Sequence, residues 1–368
     1  MSRSLVFLLL ATSLIPLAAA DKKALLPDLA GTDGAGHLFL WKDGTKIVVS
    51  DPWSHDILVG GELSGDKDPV WHLWGYSVEG FGSEERVRAF TLEVQLGLAA
   101  KEGESVPIKN RSLQREDFSV VRPDLLFRQG DALALVYGAT TSHPRWELWS
   151  AGQKTQSKAW DDGRTYAAVA VGPEGELALA GRSGDGFPLV ETADETVLGP
   201  VPGRLSAVLW NPDIGAPGWV AAGWGAAEGL PAQFLVWRGL PLAGQWLAPP
   251  GPPEPRSGGV FASRLALAAG VELAPGAFLA AGTWSERATG DRLPWVWQPD
   301  GAVYLAAPKN PTGLQTFVAS GEAGWSLVLR SEGKAPQLLT EAGPVVLSGL
   351  EPTDTVTLVI SPSPPAKQ

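Results

Sequence analysis

The stretch Gly218–Pro250, GWVAAGWGAAEGLPAQFLVWRGLPLAGQWLAPP, decides the fold. A strand of small apolar residues ends at Gly223, and a loop leads from it to a second apolar strand over residues 234–237. A turn at Gly239 precedes a third short strand near Trp246. Short apolar runs bounded by glycine and proline are typical of strands joined by tight turns. This stretch therefore predicts a small antiparallel sheet.

The same unit recurs along most of the chain. In each copy a glycine closes a strand of small apolar residues, a polar hairpin follows, and an alternating apolar strand ends, in most copies, in tryptophan. The glycines of the seven predicted units are Gly31, Gly61, Gly138, Gly181, Gly223, Gly282 and Gly321. The residues that end the second strand are Trp41, Trp74, Trp149, Glu191 in place of tryptophan, Trp237, Trp297 and Leu329.

The length of the repeat points to one architecture. Units of roughly 40–50 residues with about four short strands each are typical of β-propellers. The sequence therefore predicts an all-β fold, a β-propeller of four-stranded antiparallel sheets, with seven blades expected within a range of six to eight. The longest gap, between Trp74 and Trp149, holds further strand-like sequence at Arg86–Leu98, which leaves an eighth, degenerate unit as an alternative.

Composition agrees with a β-rich fold and excludes some partners. The 368 residues include 44 Gly and 31 Pro, and only 19% are charged, which suits short strands joined by turns. The formal net charge of −11 argues against nucleic acid and anionic lipid as partners. The chain has no cysteine, so no disulfide supports the fold. We expect a monomer.

The first 20 residues have the pattern of a bacterial Sec signal peptide. Arg3 is followed by an apolar run over residues 5–17 and by Ala18-Ala19-Ala20, a small-residue cleavage signal. We therefore expect a signal peptide at 1–20, a propeller domain at 21–360 and a disordered tail at 361–368. A periplasmic or secreted location follows, with no membrane span after cleavage.

The repeat resembles the kelch repeat in a degenerate form. The resemblance rests on a glycine-ended strand, a hairpin, an aromatic-ended strand and a second aromatic before proline, as in Gly223, Trp237 and Trp246. Kelch repeats usually carry a glycine doublet, which among the seven copies only the second has, at Gly60-Gly61, and tryptophan replaces their usual tyrosine. The resemblance implies a bacterial kelch-like β-propeller.

The candidate binding residues follow from their place in the repeat. Because Trp41, Trp74, Trp149, Trp237 and Trp297 hold one repeat position, we expect them to pack between blades, with an aromatic platform for sugars as the alternative. Trp224 and Trp284 lie one and two residues, respectively, after the repeat glycine, at the mouth of the hairpin. Loops at strand ends are common binding sites, so these two tryptophans are the candidate ligand-binding residues.

The sequence contains no recognisable catalytic set, and its four histidines lie in different registers, so we expect neither a metal nor a cofactor.

The leading hypothesis is a non-catalytic binding or scaffold protein that recognises an envelope or extracellular protein or a glycan through loops on one face. The alternative is a sugar-active enzyme, such as a kelch-like sugar epimerase or a glycan hydrolase or lyase. That enzyme needs charged groups that converge from several blades, and the candidates are Arg145, Glu147, Arg182 and Arg238. A third hypothesis, an assembly factor of the envelope, cannot be separated from the first by sequence.

Overall fold

The chain folds entirely into β-strands over the residues that the structure describes. The computed structural model describes residues 28–42, 44–51, 55–64, 69–80, 86–97, 107–119, 121–193, 195–211, 218–226, 228, 233–239, 245–247, 271–274, 277–285, 292–298, 301–304, 313–320, 324–340 and 343–360. These residues contain no helix. Their 28 strands form four-stranded antiparallel sheets, as predicted, and the hydrogen-bonded order gives seven such sheets. The predicted signal peptide and C-terminal tail lie outside the described residues.

The sheets are numbered here in chain order. Sheet 1 contains β1 (Asp28–Thr32), β2 (Leu38–Lys42), β3 (Thr45–Val48) and β28 (Thr355–Ile360). Sheet 2 contains β4 (Asp56–Ser64), β5 (Val70–Glu79), β6 (Arg86–Leu96) and β7 (Ile108–Ser119). Sheet 3 contains β8 (Leu125–Gln129), β9 (Ala132–Tyr137), β10 (Arg145–Ser150) and β11 (Gln153–Ala159). Sheet 4 contains β12 (Thr165–Val171), β13 (Leu177–Arg182), β14 (Pro188–Thr192) and β15 (Thr196–Leu198).

The remaining sheets come from the second half of the chain. Sheet 5 contains β16 (Gly203–Asn211), β17 (Gly218–Gly225), β18 (Gln233–Gly239) and β19 (Gln245–Leu247). Sheet 6 contains β20 (Val271–Ala274), β21 (Ala277–Ser285), β22 (Arg292–Gln298) and β23 (Gly301–Tyr304). Sheet 7 contains β24 (Gly313–Ser320), β25 (Gly324–Arg330), β26 (Gln337–Thr340) and β27 (Gly343–Val345).

Strand order is sequential in every sheet except sheet 1. There β28 pairs with β1, and the order is β28-β1-β2-β3, so the two ends of the described chain share one sheet. The strand-like sequence between Trp74 and Trp149 forms β6 and β7, the long third and fourth strands of sheet 2. It is therefore part of that sheet and does not form the additional unit that the sequence left open.

Among the described side chains, apolar clusters join five pairs of neighbouring sheets. One buried cluster combines residues of sheets 1 and 2, and another combines residues of sheets 2 and 3. Two further clusters join sheet 3 to sheet 4 and sheet 4 to sheet 5, and a fifth joins sheet 7 to sheet 1. The core therefore lies between the faces of consecutive sheets, where burial of apolar surface stabilises each pair.

The first strand in the hydrogen-bonded order of a sheet is called its lead strand here; for sheets 1 to 7 the lead strands are β28, β4, β8, β12, β16, β20 and β24. A β-bulge opposite a glycine recurs in these lead strands. In four sheets the residue before the bulge pairs with a glycine of the next strand: Val356 with Gly31, Leu58 with Gly75, Tyr166 with Gly181, and Leu205 with Gly223. A Cβ on these glycines would lie 1.9–2.1 Å from a lead-strand carbonyl oxygen, that of Thr355, Ile57, Thr165 or Arg204. No side chain fits at that separation, so these four bulges require a glycine opposite them. The bulge of β24 in sheet 7 lies opposite Leu329 instead.

This bulge places the predicted repeat glycines in their sheets. Gly31, Gly181 and Gly223 hold the position opposite the bulge, but Gly75 holds it in sheet 2, where Gly61 lies on the lead strand itself. Gly282 lies on β21, and Gly138 follows β9 with a φ of +62°. Gly321 lies outside the described residues. In the second and seventh predicted units, the residues assigned to the repeat therefore lie one strand earlier in the sheet than in the other units.

The tryptophan position is also defined by pairing. The residue two places before the glycine pairs with a residue of the third strand: Leu29 with Trp41, Val136 with Trp146, Leu179 with Glu191, Ala221 with Trp237, and Ala280 with Trp297. In sheet 3 the structure thus places Trp146 at this position, three residues before the predicted Trp149. Trp74 lies on the second strand of sheet 2, and Leu329 lies on the second strand of sheet 7.

Replacing Gly181 by alanine tests the bulge. The new Cβ would lie 1.9 Å from the Thr165 carbonyl oxygen, so the backbone must shift and we expect a loss of about 3 kcal/mol in the free energy of unfolding. The control is Gly152→Ala, in a turn with a φ of +74° and open space around it, with an expected loss of about 1 kcal/mol. Urea denaturation measures both. Equal losses in the two variants would contradict the steric role of the bulge.

Candidate functional site

Five lead strands or their entries border one cavity, called the shared cavity here. It has a volume of about 540 Å³. Its lining residues come from β4, β5, β8, β12, β16 and β28 and from the segment before β8: Ile57, Leu58, Val59, Tyr76, Pro123, Asp124, Leu125, Leu126, Ala167, Ala168, Val169, Ser206, Ala207, Val208 and Thr357. The extra residue of each of the four bulges lines this cavity, and these residues are Val59, Ala167, Ser206 and Thr357. The bulges therefore shape the wall of the cavity.

Small residues keep the shared cavity open. Ala167, Ala168, Ala207 and Ser206 occupy wall positions where larger side chains would fill the space. The sequence suggested this feature, since the repeat's strands are rich in alanine and glycine. A concave, mostly apolar site with a few polar groups is the usual form of a ligand pocket.

The polar side of the cavity is formed by Tyr76 and Asp124, with Arg122 beside them. The Arg122 guanidinium lies 6.0 Å from the centre of the Tyr76 ring, a cation–π contact. Burial raises the pKa of Tyr76; Arg122 opposes that shift and the nearby Asp124 adds to it. Tyr76 is therefore a neutral phenol that can donate a hydrogen bond. Asp124 accepts a hydrogen bond of 2.8 Å from the backbone N–H of Ala139, which fixes its carboxylate.

The two tryptophans predicted to bind ligand lie on second strands. Trp224 is on β17, half-buried, and pairs with Arg204 of β16 and Phe234 of β18. The backbone of Trp284 is on β21 and pairs with Leu293, but its side chain lies outside the described part. Trp224 does not line the shared cavity. Tyr76, Arg122 and Asp124 were missed by sequence reasoning, because they follow no repeated pattern.

The charged candidates for an enzyme site have local partners. The Arg145 guanidinium lies 4.4 Å from the centre of the Tyr137 ring. The Glu147 carboxylate accepts a hydrogen bond of 3.1 Å from Trp149 Nε1 and lies 3.6 Å from Lys154 Nζ. Arg182 ends β13, and Arg238 lies on β18. None of these four residues lines the shared cavity.

The repeat tryptophans lie mostly between sheets. Trp41 and Trp237 are buried in the clusters that join sheets 7 and 1 and sheets 4 and 5, and Trp41 Nε1 donates to the Ser348 carbonyl at 3.0 Å. Trp74 and Trp149 are half-buried and pack against the cluster between sheets 2 and 3. The side chain of Trp297 is outside the described residues.

Glu191 replaces tryptophan at its repeat position and forms a buried polar cluster between sheets 3 and 4. The residue is fully buried. Its carboxylate accepts hydrogen bonds from Trp146 Nε1 at 3.3 Å, Trp160 Nε1 at 3.0 Å and Arg164 Nη1 at 2.8 Å. The Tyr166 hydroxyl also donates to it. A buried charge is tolerable only with such a full set of partners.

The same cluster has the largest pKa shifts among the described residues. Burial alone would lower the pKa of Arg164, but hydrogen bonds to Asp162 and Tyr166 and the charge of Glu191 raise it. Burial raises the pKa of Tyr166, and the negative charge of Glu191 raises it further. Arg164 also stacks 3.4 Å from the centre of the Trp160 ring. These shifts belong to a closed contact between two sheets, away from the shared cavity.

The histidines do not form a common centre. His37 lies 3.3 Å from Asp33, His143 lies 2.9 Å from Asp161, and His55 is exposed. Within the described ranges, no group of three or more histidine or acidic side chains is arranged to hold a metal ion. No described helix has the length and apolar character needed to cross a membrane.

No family model matches the chain, and no curated protein matches it significantly. Function must therefore be inferred from the residues of this chain alone.

Removing the Glu191 carboxylate tests the buried cluster. Glu191→Ala leaves four buried donors without their acceptor, and Arg164 keeps only its pair with Asp162, so we expect a loss of about 3 kcal/mol in the free energy of unfolding. The control is Glu195→Ala, an exposed residue near the end of the same hairpin, which should leave stability almost unchanged. Thermal and urea unfolding measure both. A loss below about 1 kcal/mol for Glu191→Ala would contradict the role of the cluster.

The raised pKa of Tyr166 predicts a loss of stability at high pH. Above about pH 10 the unfolded chain releases the Tyr166 proton while the folded chain keeps it, so the stabilisation present below pH 10 decreases as pH rises. The contribution is up to about 1.4 kcal/mol per pH unit. Urea midpoints between pH 8.5 and 11 should fall less steeply in Tyr166→Phe than in the unchanged protein. Identical slopes would contradict the assignment.

Proposed function

We propose that the chain is an exported β-propeller whose shared cavity binds a protein or glycan ligand and leaves that ligand chemically unchanged. In this proposal the four-stranded sheets are seven blades in a closed ring, with the lead strands around the axis. The contacts of β28 with β4, β4 with β8, β8 with β12, β12 with β16 and β24 with β28 support that arrangement. The pairing of β28 with β1 is the means by which such a ring would be closed.

The shared cavity is the observation that carries the binding proposal. It draws on the lead strands of five of the seven sheets, so its shape depends on how those sheets are arranged and not on one loop. It offers one neutral phenol, one fixed carboxylate and small apolar walls. These groups suit a neutral ligand with hydroxyl or amide groups, which a sugar unit and a peptide segment both provide.

Loops at the same end of the sheets would enlarge this site. The connections that enter β4, β8 and β12 contact the hairpins between second and third strands, through hydrogen bonds of Asp56 with Gly36, Ala139 with Asp124, and Tyr166 with Ala139. Recognition through loops held on a rigid scaffold is a common binding mode.

The proposed location rests on the leader sequence. Arg3, the apolar run at 5–17 and the alanines before Asp21 support export to the periplasm or beyond the cell. A chain without cysteine needs no oxidative folding there. The ligand is accordingly expected among envelope or extracellular proteins and glycans, and the kelch-like repeat remains part of this proposal.

Binding measurements on the mature chain test the proposal. We expect saturable binding on a glycan array or specific capture of envelope proteins, and a loss of about tenfold in affinity for Tyr76→Ala. Tyr76→Phe keeps the ring and loses only the hydroxyl, so its smaller loss measures the hydrogen bond. Val346→Ala, at a residue 84% exposed and outside the cavity lining, is the control.

Unfolding midpoints of all variants separate a loss of binding from a loss of stability. Binding that is equal in Tyr76→Ala and in the unchanged protein would show that the shared cavity is not the site. Absence of any ligand in both assays, together with turnover of a glycan substrate, would instead favour the sugar-active enzyme.

A further inference from the structure

A second group of polar side chains lies at the other end of β4, away from the shared cavity. Ser64 ends β4, His72 lies on β5 and Glu93 lies on β6. His72 pairs directly with Glu93 across the two strands. His72 also pairs with Glu62, two residues before Ser64, so the three side chains lie on one face of sheet 2.

The two ring nitrogens of His72 have different partners. The Ser64 hydroxyl lies 2.7 Å from Nε2, and Glu93 Oε1 lies 3.4 Å from Nδ1. One neutral tautomer satisfies both contacts, with the proton on Nδ1 shared with Glu93 and Nε2 accepting from the serine hydroxyl. This is the arrangement by which a histidine removes the proton of a serine nucleophile while a carboxylate holds the ring.

A cavity of about 280 Å³ is lined by His72 and Glu93, and Ser64 lies at its edge only through its contact with His72. The wall contributed by sheet 2 includes His72, Glu93, Trp74 and Glu62. On the side of sheet 3 the cavity is lined by Arg128 of β8 and by Asp131 of the turn between β8 and β9. Trp74 supplies an aromatic wall, and Arg128 supplies a guanidinium that can stabilise a developing negative charge. Three carboxylates around the cavity disfavour anionic substrates.

Exposed cross-strand polar pairs on the face of a sheet often have no function beyond solvation. Here the side chains of His72 and Glu93 are 33% and 59% exposed. Two features go beyond such a pair: the serine and the carboxylate engage opposite nitrogens of one ring, and the ring opens onto a cavity large enough for a short acyl group. We propose that Ser64, His72 and Glu93 hydrolyse short-chain carboxylic esters of neutral alcohols.

The reaction uses only these residues, the ester and water. Ser64 Oγ adds to the ester carbonyl carbon while its proton passes to His72 Nε2. The carbon–oxygen bond to the alcohol then breaks, and the alcohol leaves with the proton from His72, which gives an acyl-Ser64. Water attacks the acyl carbon and gives a proton to His72. The bond to Ser64 Oγ breaks, which releases the carboxylic acid and restores the serine hydroxyl.

Two measurements on the mature chain test this inference. A fluorophosphonate probe should label Ser64, as shown by peptide mass spectrometry, and p-nitrophenyl acetate and butyrate should be hydrolysed above the buffer rate. Ser64→Ala and His72→Asn should each lower the rate at least 100-fold or to background. Glu93→Gln should lower it about tenfold and move the pH profile, because the neutral amide no longer stabilises the imidazolium.

Ser112→Ala is the matched control, since Ser112 is an exposed serine on β7 that pairs with Glu93. It should keep full activity and full labelling of Ser64. Ester hydrolysis that survives Ser64→Ala, or an unchanged protein that is neither labelled nor active on both esters, would overturn the proposal. Ligand binding at the shared cavity is measured separately with the Tyr76 variants, so failure of one proposal leaves the other standing.

Discussion

The close approach of a carbonyl oxygen to a glycine is the constraint on which the sheets depend. In sheets 1, 2, 4 and 5 the lead strand bulges, and its carbonyl occupies the space where a Cβ of the next strand would lie. The bulge adds one residue to the lead strand and re-aims that residue. Because those residues border the shared cavity, the same local distortion that requires glycine also forms the wall of the proposed binding site.

The contacts between sheets show how one position can be filled by different chemistry. Trp41 and Trp237 fill the third-strand position with apolar area, whereas Glu191 fills it with a charge that Arg164 and Tyr166 surround. Trp146, at the equivalent position of sheet 3, donates to that charge. At this position, hydrogen bonds to the buried Glu191 carboxylate therefore take the place of the apolar packing that a tryptophan provides in the other sheets.

The sequence was sufficient to predict the all-β class and the four-stranded antiparallel sheets, since short alternating runs between glycine turns are local signals. Register was harder to predict. Gly61 and Trp149 fit the sequence pattern, but in the structure Gly75 lies opposite the bulge and Trp146 holds the third-strand position. The pairing with the neighbouring strand determines these positions, and the sequence pattern of a single strand does not contain it. Tyr76, Arg122 and Asp124 could not be grouped from sequence, because they come together only when β5 and the entry to β8 are adjacent. Ser64, His72 and Glu93 are separated by loops of unequal length, so no spacing links them.

The pairing of β28 with β1 has a consequence for the order of events during synthesis. β1 leaves the ribosome with β2 and β3, but its second neighbour is made more than 300 residues later. Until then β1 presents an open edge of backbone N–H and carbonyl groups, which is a template for pairing with another chain. The first sheet to be translated is thus the last to be finished, and the nascent protein depends on keeping that edge unpaired until its own final strand arrives.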